Sequence, residues 1–376
     1  MRGDEGEATR QYLAARLGRQ KFIFVEEFAR AQRPAGDPMR SFLGLAFTAF
    51  LSAVLALGAN ADPVGHWENA DPTAGGLSGE GLKAVQDYGG ALNSTAVMIV
   101  RDGQVIASWG DVSRKVDVAS VRKSLLSALY GVAASEGRIN LASTLAQLGI
   151  DDKPPSLTEV EKQATVRDLL MARSGVYHHA AHETAEMKEN RPERGSHPPG
   201  SFWFYNNWDF NVLGAIYRKA TGEDIFQSFA QRIARPIGME DFTGEDGRYV
   251  FSRSSLYPAY LFSLSTRDLA RFGLLYLNGG RWRGKQVIPA AWVKESTAPY
   301  SQTDRPGRGY GYLWWTLTAA EWGDGAILAS GFGGQLMAVI PAKRLVMAQT
   351  MESRQNAKEG LTKNFLDLLR KVAASP

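Results

Sequence analysis

Apolar positions along this chain keep two rhythms, and the changes between them mark the elements. Leu82, Val85, Tyr88 and Leu92 hold helical spacing behind Ser78, a residue able to cap, and predict a helix that ends before Asn93. Residues 96–100 and 104–109 are strand-like runs on either side of Arg101-Asp102-Gly103, and Asp-Gly is the dipeptide of a tight hairpin turn. Leu125, Leu126, Ala128, Leu129, Val132 and Ala133 return to helical spacing, an apolar stripe on one side, until Gly137 supplies a left-handed stop. From Asn140 to about Pro289 helical patterns dominate. Thr165-Val166-Arg167-Asp168 opens one helix as a capping box that Gly175 closes, and Ser265-Thr266-Arg267-Asp268 opens another, closed near Gly279. Strand patterns resume at 311–316, 326–329, 336–340 and 344–348, with turns at 331–334 and 341–343 that make antiparallel neighbours. A closing helix over 361–372 covers one face. The pattern predicts an α/β (α+β) fold: an antiparallel sheet flanked by helices, with a mostly helical region inserted at about 140–290. No internal repeat is present.

One stretch breaks both rhythms. Residues 41–61 carry no charge, follow Arg40 and end in Ala59-Asn60-Ala61, which reads as an export signal starting at Met39 and cleaved after Ala61. Residues 1–38 are mixed and charged, an odd leader that suggests a start placed too early, and 62–376 is the expected mature domain. An uncleaved membrane anchor is the alternative, since the run is about as long as the shortest spans. Either way the body is expected outside the cytoplasm, periplasmic or secreted.

Composition changes the picture little. The 376 residues have ample apolar content for a core, and a formal charge of +4 implies no nucleic-acid partner. The absence of cysteine removes disulfides, thiolate metal sites and cysteine nucleophiles from consideration.

The candidate chemistry sits at the mouth of the 120s helix. Ser120 and Lys123, three residues apart, share one helical face. A serine hydroxyl needs a neighbour to take its proton, and a desolvated lysine can serve. The helix-start amide at Ser120 also faces any developing anion. Taken alone, a capping serine followed by a solvated lysine fits the same four residues. Residues 176–201 lack a sustained period and suggest a lid or binding loop. Directly after them stands Phe202-Trp203-Phe204-Tyr205-Asn206-Asn207-Trp208-Asp209 at the entrance of a helix. There Tyr205 has a hydroxyl able to pass a proton to a leaving group, and Asn207 an amide able to meet a substrate carbonyl and hold a lysine ammonium. An aromatic core cluster with a capping Asn or Asp is the other reading. Tyr177, Trp203 and Trp314 are candidate walls of an apolar acyl site, each also an ordinary core aromatic.

Ser120-Val121-Arg122-Lys123, then Tyr205-Asn206-Asn207, then Phe332-Gly333-Gly334-Gln335 between late strands resemble, in this order, the serine beta-lactamase and penicillin-binding superfamily. The chain is most similar to the class C-like serine hydrolase branch, with its carboxylesterases, D-amino-acid peptidases and 6-aminohexanoate-oligomer hydrolases. Ser174-Gly175-Val176-Tyr177, 265–273 and 310–315 share the likeness, which spans about 78–372. The resemblance implies a beta-lactamase/transpeptidase-like fold, Ser120 as acylated nucleophile, Lys123 as the partner that deprotonates it and Tyr205 as acid and base. It further implies Asn207 as orienting residue, an oxyanion hole of the backbone amides of Ser120 and Gln335, and no metal or cofactor. Where beta-lactamases carry Lys-Thr-Gly, this chain has Phe332-Gly333-Gly334, without the cation and hydroxyl that help hold a substrate carboxylate. That weakens beta-lactam and D-Ala-peptide substrates and favours a small neutral ester or linear amide, although Ser330 is a second candidate for the polar position. A binding protein that has lost catalysis is the alternative of another class.

His178, His179 and His182, followed by Glu183, lack the order and third ligand of a zinc site and read as solvated loop residues. No Gly-x-Ser-x-Gly elbow supports a histidine triad. Residues 279–285 match the start of a phosphate-binding loop by spacing only and predict a surface turn. Lys188, Arg191 and Arg194 read as solvated loop charges that a substrate anion could also meet.

Overall fold

The computed structural model of the chain describes residues 65–67, 77, 79–91, 96–352 and 360–374. The expected leader and signal segment, with most of the lead-in up to Ser78, lie outside them. Among the described residues no helix is long and apolar enough to cross a membrane.

Helix α1 (Gly79–Ala91) precedes β1 (Ala96–Arg101) and β2 (Gln104–Gly110). The turn between these strands is Asp102-Gly103, with φ of 51° and 82°, the positive values that this dipeptide tolerates. β3 (Val116–Asp117) leads into a 3-10 turn, Ala119–Val121, that runs into α2 (Arg122–Ser135). The mixed region follows with α3 (Asn207–Thr221), β4 (Gly247–Ser252), β5 (Ser255–Leu264) and α4 (Thr266–Leu277). After it come β6 (Arg281–Trp282), β7 (Lys285–Gln286), β8 (Ser301–Gln302), β9 (Arg308–Tyr310) and β10 (Trp315–Leu317). The chain closes with β11 (Ile327–Gly331), β12 (Gln335–Ile340), β13 (Leu345–Thr350) and α5 (Leu361–Ala374).

Eight strands form one antiparallel sheet in the order β2-β1-β13-β12-β11-β10-β9-β8. Because β1 pairs with β13, the first and last strands of the described residues are neighbours in the sheet. β12 and β13 are buried on both faces, which is why their sequences are near-continuous apolar runs rather than alternations. One face is covered by α4, which approaches closely because residue 273 is glycine: a Cβ there would come within 2.6 Å of Val346 and 2.9 Å of Met337. Near the other end of the chain α1 packs on α5. Tyr88 donates to Gln349 (3.0 Å) and Arg101 to the carbonyl of Val372 (2.9 Å), which ties both helices to the sheet.

The region at 140–290 also holds a hairpin of β4 and β5, paired to β3 in a three-stranded sheet, and its helix α4 packs on the main sheet. One expectation is corrected here: the one-sided stripe expected along the 120s helix is absent, since residues 121–131 are buried on every side. A helix that crosses a core has no polar face, so its few polar residues stand out as functional or specially packed. Its end is as expected: Gly137, at φ 71°, supplies the left-handed stop.

Candidate active site

The 3-10 turn at Ala119–Val121 touches β11 and β12, while the body of α2 packs on α3 and β5. Ser120 thus lies where the large sheet meets the helical region. The turn is strained: Ala119 has φ 50°, a conformation that costs a residue with a Cβ about 1 kcal/mol or more. Asp117 compensates by accepting the amide of Ala119 (2.9 Å), and Val118 donates to the carbonyl of Phe262 (3.0 Å). Gly331 completes the seat. A Cβ on it would stand 2.5 Å from the carbonyl oxygen of Val118 and 3.2 Å from the Ala119 side chain, so only glycine lets the strand edge lie against the serine turn.

Three side chains converge there. Nζ of Lys123 donates to Oγ of Ser120 and to the hydroxyl of Tyr205, each at 2.8 Å. The same nitrogen lies 4.5 Å from the ring centroid of Tyr205 and 4.6 Å from that of Phe210. Lys123 is only 2% exposed, whereas Ser120 remains half-buried and reachable. Burial drives the lysine well below its usual ammonium range, and the charge of neighbouring Arg122 acts in the same direction. The Tyr205 phenol is pushed up to about 12 by burial, against the pull of its hydrogen bond to Ser120 and the charges of Arg122 and Arg305. An amine of lowered basicity and a phenol beside a serine hydroxyl are groups able to act as base, acid and nucleophile.

Rings hold Tyr205 in place. Trp315 stacks on it (5.5 Å between centroids, 21° between planes), Tyr310 meets it edge-on at 6.1 Å, and Trp203 stands 6.5 Å away. Register explains the set: Trp315 and Tyr310 are paired residues on β10 and β9 and so share one face of the sheet.

The beta-lactamase family model matches residues 82–370. The chain belongs to the beta-lactamase family. Its fold is similar to that of a Bacillus anthracis protein named provisionally as a 6-aminohexanoate-dimer hydrolase, at 20% identity over 83% of this chain and 88% of that one, with a TM-score of 0.62. It is also similar to EstCE1, described as a hydrolase with promiscuous acyltransferase activity, at 14% identity over 78% of this chain and 98% of that one, with a TM-score of 0.54. An uncharacterized protein of Alkalihalophilus pseudofirmus, BpOF4_21049, is 21% identical over 319 residues, which cover 74% of this chain and 89% of that protein.

Within this beta-lactamase-family fold the remaining expected residues fall into two groups. Gln335 opens β12 opposite Gly331, beside the serine turn, with its side chain turned inward: Nε2 donates to the carbonyl of Met351 (2.7 Å) and Oε1 accepts its amide (3.1 Å). Phe332 is 59% exposed at the tip of the β11–β12 turn, which Gly333 and Gly334 make with φ of 80° and 86°. Trp203 joins the wall around Tyr205.

Trp314 does not. It is fully buried on the opposite side, against Phe272 and Tyr276, and the ring at the site is its neighbour Trp315. Successive strand residues point to opposite faces, and the left-handed turn at Leu313 (φ 64°) sets which of the two tryptophans faces Tyr205. The ring of Tyr177 meets His197 and Phe204, and its buried hydroxyl has no hydrogen-bond partner. Asn207 does not hold Lys123: its Nδ2 donates to the carbonyl of His182 (2.7 Å) and its buried Oδ1 is unpaired.

Asn207 instead belongs to a set that fastens the 176–201 loop to α3. Asn206, the actual cap of that helix, donates to the carbonyl of Val176 (2.7 Å), and Asn211 to that of Ala181 (3.1 Å). Asp209 accepts from Ser174 Oγ (2.5 Å) and Asn206 (2.9 Å). Glu183 is taken up by the amide of Ala180 and by Arg191, while Arg194 clasps Glu161. His178, expected in solvent, is buried beside Trp208, which lowers its basicity. Sequence reading missed Arg122, Phe210, Tyr310 and Trp315 as members of the site. Phe210 carried a signal one turn from Asn206 and Asn207 at the start of α3, and Tyr310 and Trp315 carried one in the 310–315 stretch that shares the likeness.

Proposed function

We propose that this chain is a serine hydrolase that cleaves an ester or linear amide of a small molecule through an acyl-Ser120 intermediate. The observation that carries the reading is the nitrogen of Lys123, at 2.8 Å from both the Ser120 and Tyr205 oxygens in a water-poor aromatic enclosure. The neutral amine takes the hydroxyl proton as Oγ attacks the carbonyl carbon. The oxyanion forms against the amides of Ser120 and Gln335, and the proton passes by way of Tyr205 to the departing oxygen or nitrogen. Water entering in the leaving group's place gives its proton back along the same route and frees the serine. Phe332 at the rim supplies apolar surface and no charge, which supports a neutral acyl group.

The test is initial rates on a short-chain p-nitrophenyl ester, a p-nitroanilide of the same acyl group and a chromogenic cephalosporin, for the protein and its Ser120→Ala variant. Ester or anilide turnover that vanishes in the variant, with little on the cephalosporin, is the expected result. Serine-dependent cephalosporin turnover above the others would replace the substrate class with a beta-lactam. Turnover of none of the three, together with no adduct from a serine-directed phosphonate, would favour a binding protein. Export rests on residues 39–61, and N-terminal sequencing of exported protein is expected to begin at Asp62; a start before Met39 would overturn it.

A further inference from the structure

Arg122 has no role in the chemistry described so far, yet it is the stranger of the two cations at the start of α2. It is 1% exposed, and its Nε, Nη1 and Nη2 are all buried with no hydrogen-bond partner among the described residues. The guanidinium carbon lies over the ring of Tyr260 on β5, 4.5 Å from its centroid. Unlike lysine, an arginine cannot shed its proton to escape such a place. A paired arginine would have its field cancelled by a carboxylate, but among the described residues this one forms no ion pair. The buried carboxyl in this part of the core, Asp209, is engaged by Ser174 and Asn206, and burial pushes its proton affinity well up.

We propose that Arg122 is a positioning residue for Lys123: its permanent and unneutralised charge keeps the neighbouring lysine in the neutral form that accepts the Ser120 proton. The idea rests on the hydrolase reading above and adds what, together with burial, keeps the base free of a proton. Consecutive residues on a helix point about 100° apart, so Arg122 acts through the low-dielectric core rather than by contact. The groups around Lys123 are Ser120 on its own turn, Tyr205 and Phe210 at the start of α3, Tyr260 on β5 and Tyr310 on β9, with Arg305 beyond Tyr205. The tyrosines are protonated and neutral at ordinary pH. Arg122 therefore supplies the charge that acts on Lys123, and a second cation beside a desolvated lysine favours the free amine.

The experiment is kcat/KM against pH on the short-chain ester for the wild type, Arg122→Lys, Arg122→Gln and Arg122→Met, with thermal melts of each. In the Gln and Met variants the acidic limb is expected to move up by about one pH unit, roughly tenfold in rate on the limb, and the rate to recover to within about twofold on the alkaline plateau. Arg122→Lys, whose amine can shed its proton in such a place, should displace the limb in the same direction. Met fills the space without a buried charge, so it keeps the test open if the Gln variant does not fold. An equal loss at every pH with the limb unmoved in the Gln and Met variants would overturn the proposal. Wild-type protein without Ser120-dependent turnover would overturn the hydrolase reading and this inference with it, whereas turnover with an unmoved limb would overturn this one alone.

Discussion

Water is what an ordinary lysine needs to keep its proton, and Lys123 has almost none. The consequence for activity is one-sided in pH. Ester hydrolysis should rise through a single acidic limb as Lys123 loses its proton, then stay level, because the Tyr205 phenol ionises only near 12. A second fall below pH 9 would contradict these assignments. Lys123→Ala and Tyr205→Phe are each expected to lose about 10²–10⁴-fold in kcat with the fold intact, measured by steady-state rates beside circular dichroism. The two tryptophans separate packing from chemistry. Trp314→Ala should cost stability, about 3–5 kcal/mol by denaturant titration, since it empties core volume against Phe272 and Tyr276. Trp315→Ala removes the plane on which Tyr205 rests, so a fall in kcat of at least about tenfold in still-folded protein is expected.

At the scale of elements, the site depends on how closely a strand edge meets a helix start. Gly331→Ala would push the β11 edge away from Val118 and Ala119, the residues that set the Ser120 turn. We expect kcat to fall by about 10²-fold with only a modest loss of melting temperature; unchanged activity would show that the edge does not set the serine. The helix starts are conventional by comparison. Ser265 accepts the amide of Asp268, so Ser265→Ala should cost about 1 kcal/mol in thermal stability and leave turnover in place. The side chain of Asp268 does not complete the expected capping box: it turns to the amides of Glu240, Asp241 and Phe242 and fastens that loop to α4. At Thr165 the box is complete, but the helix is only Val166–Leu170 and ends before the expected Gly175. Local signals marked where these helices begin, and tertiary contacts decided how far they run and what their caps hold.

At the scale of the whole molecule, stability depends on pH through ion-paired acids such as the half-buried Glu223. Glu223 accepts from Arg232, Ser228 and Arg138, and these bonds, Arg232 foremost, bring its carboxyl down to about 2. Its folded value lies below an unfolded one of about 4.3, so its contribution is present above about pH 4.3 and lost as pH falls toward 2. The melting-temperature gap between wild type and Glu223→Gln should therefore narrow between pH 6 and pH 3; a constant gap would show no linkage. Much of the molecule was legible before its folding was known. The Asp102-Gly103 hairpin, the late antiparallel strands, the closing helix and the Ser120–Lys123 pair depend on residues near one another in sequence, where turn chemistry, periodicity and helical spacing act directly. The order of Ser120, Tyr205 and the glycine turn was enough to bring the resemblance into view. Three things only tertiary structure decided. The β4–β5 hairpin was not singled out within the 140–290 region, and its pairing with distant β3 is set by long-range contact that no local pattern specifies. Trp315 rather than Trp314 faces Tyr205, because a single left-handed residue sets the phase of a strand. Arg122 became visible as an unpaired buried charge only when every neighbour that might have balanced it was in place, since burial and the lack of a partner belong to the packed core and to no residue alone.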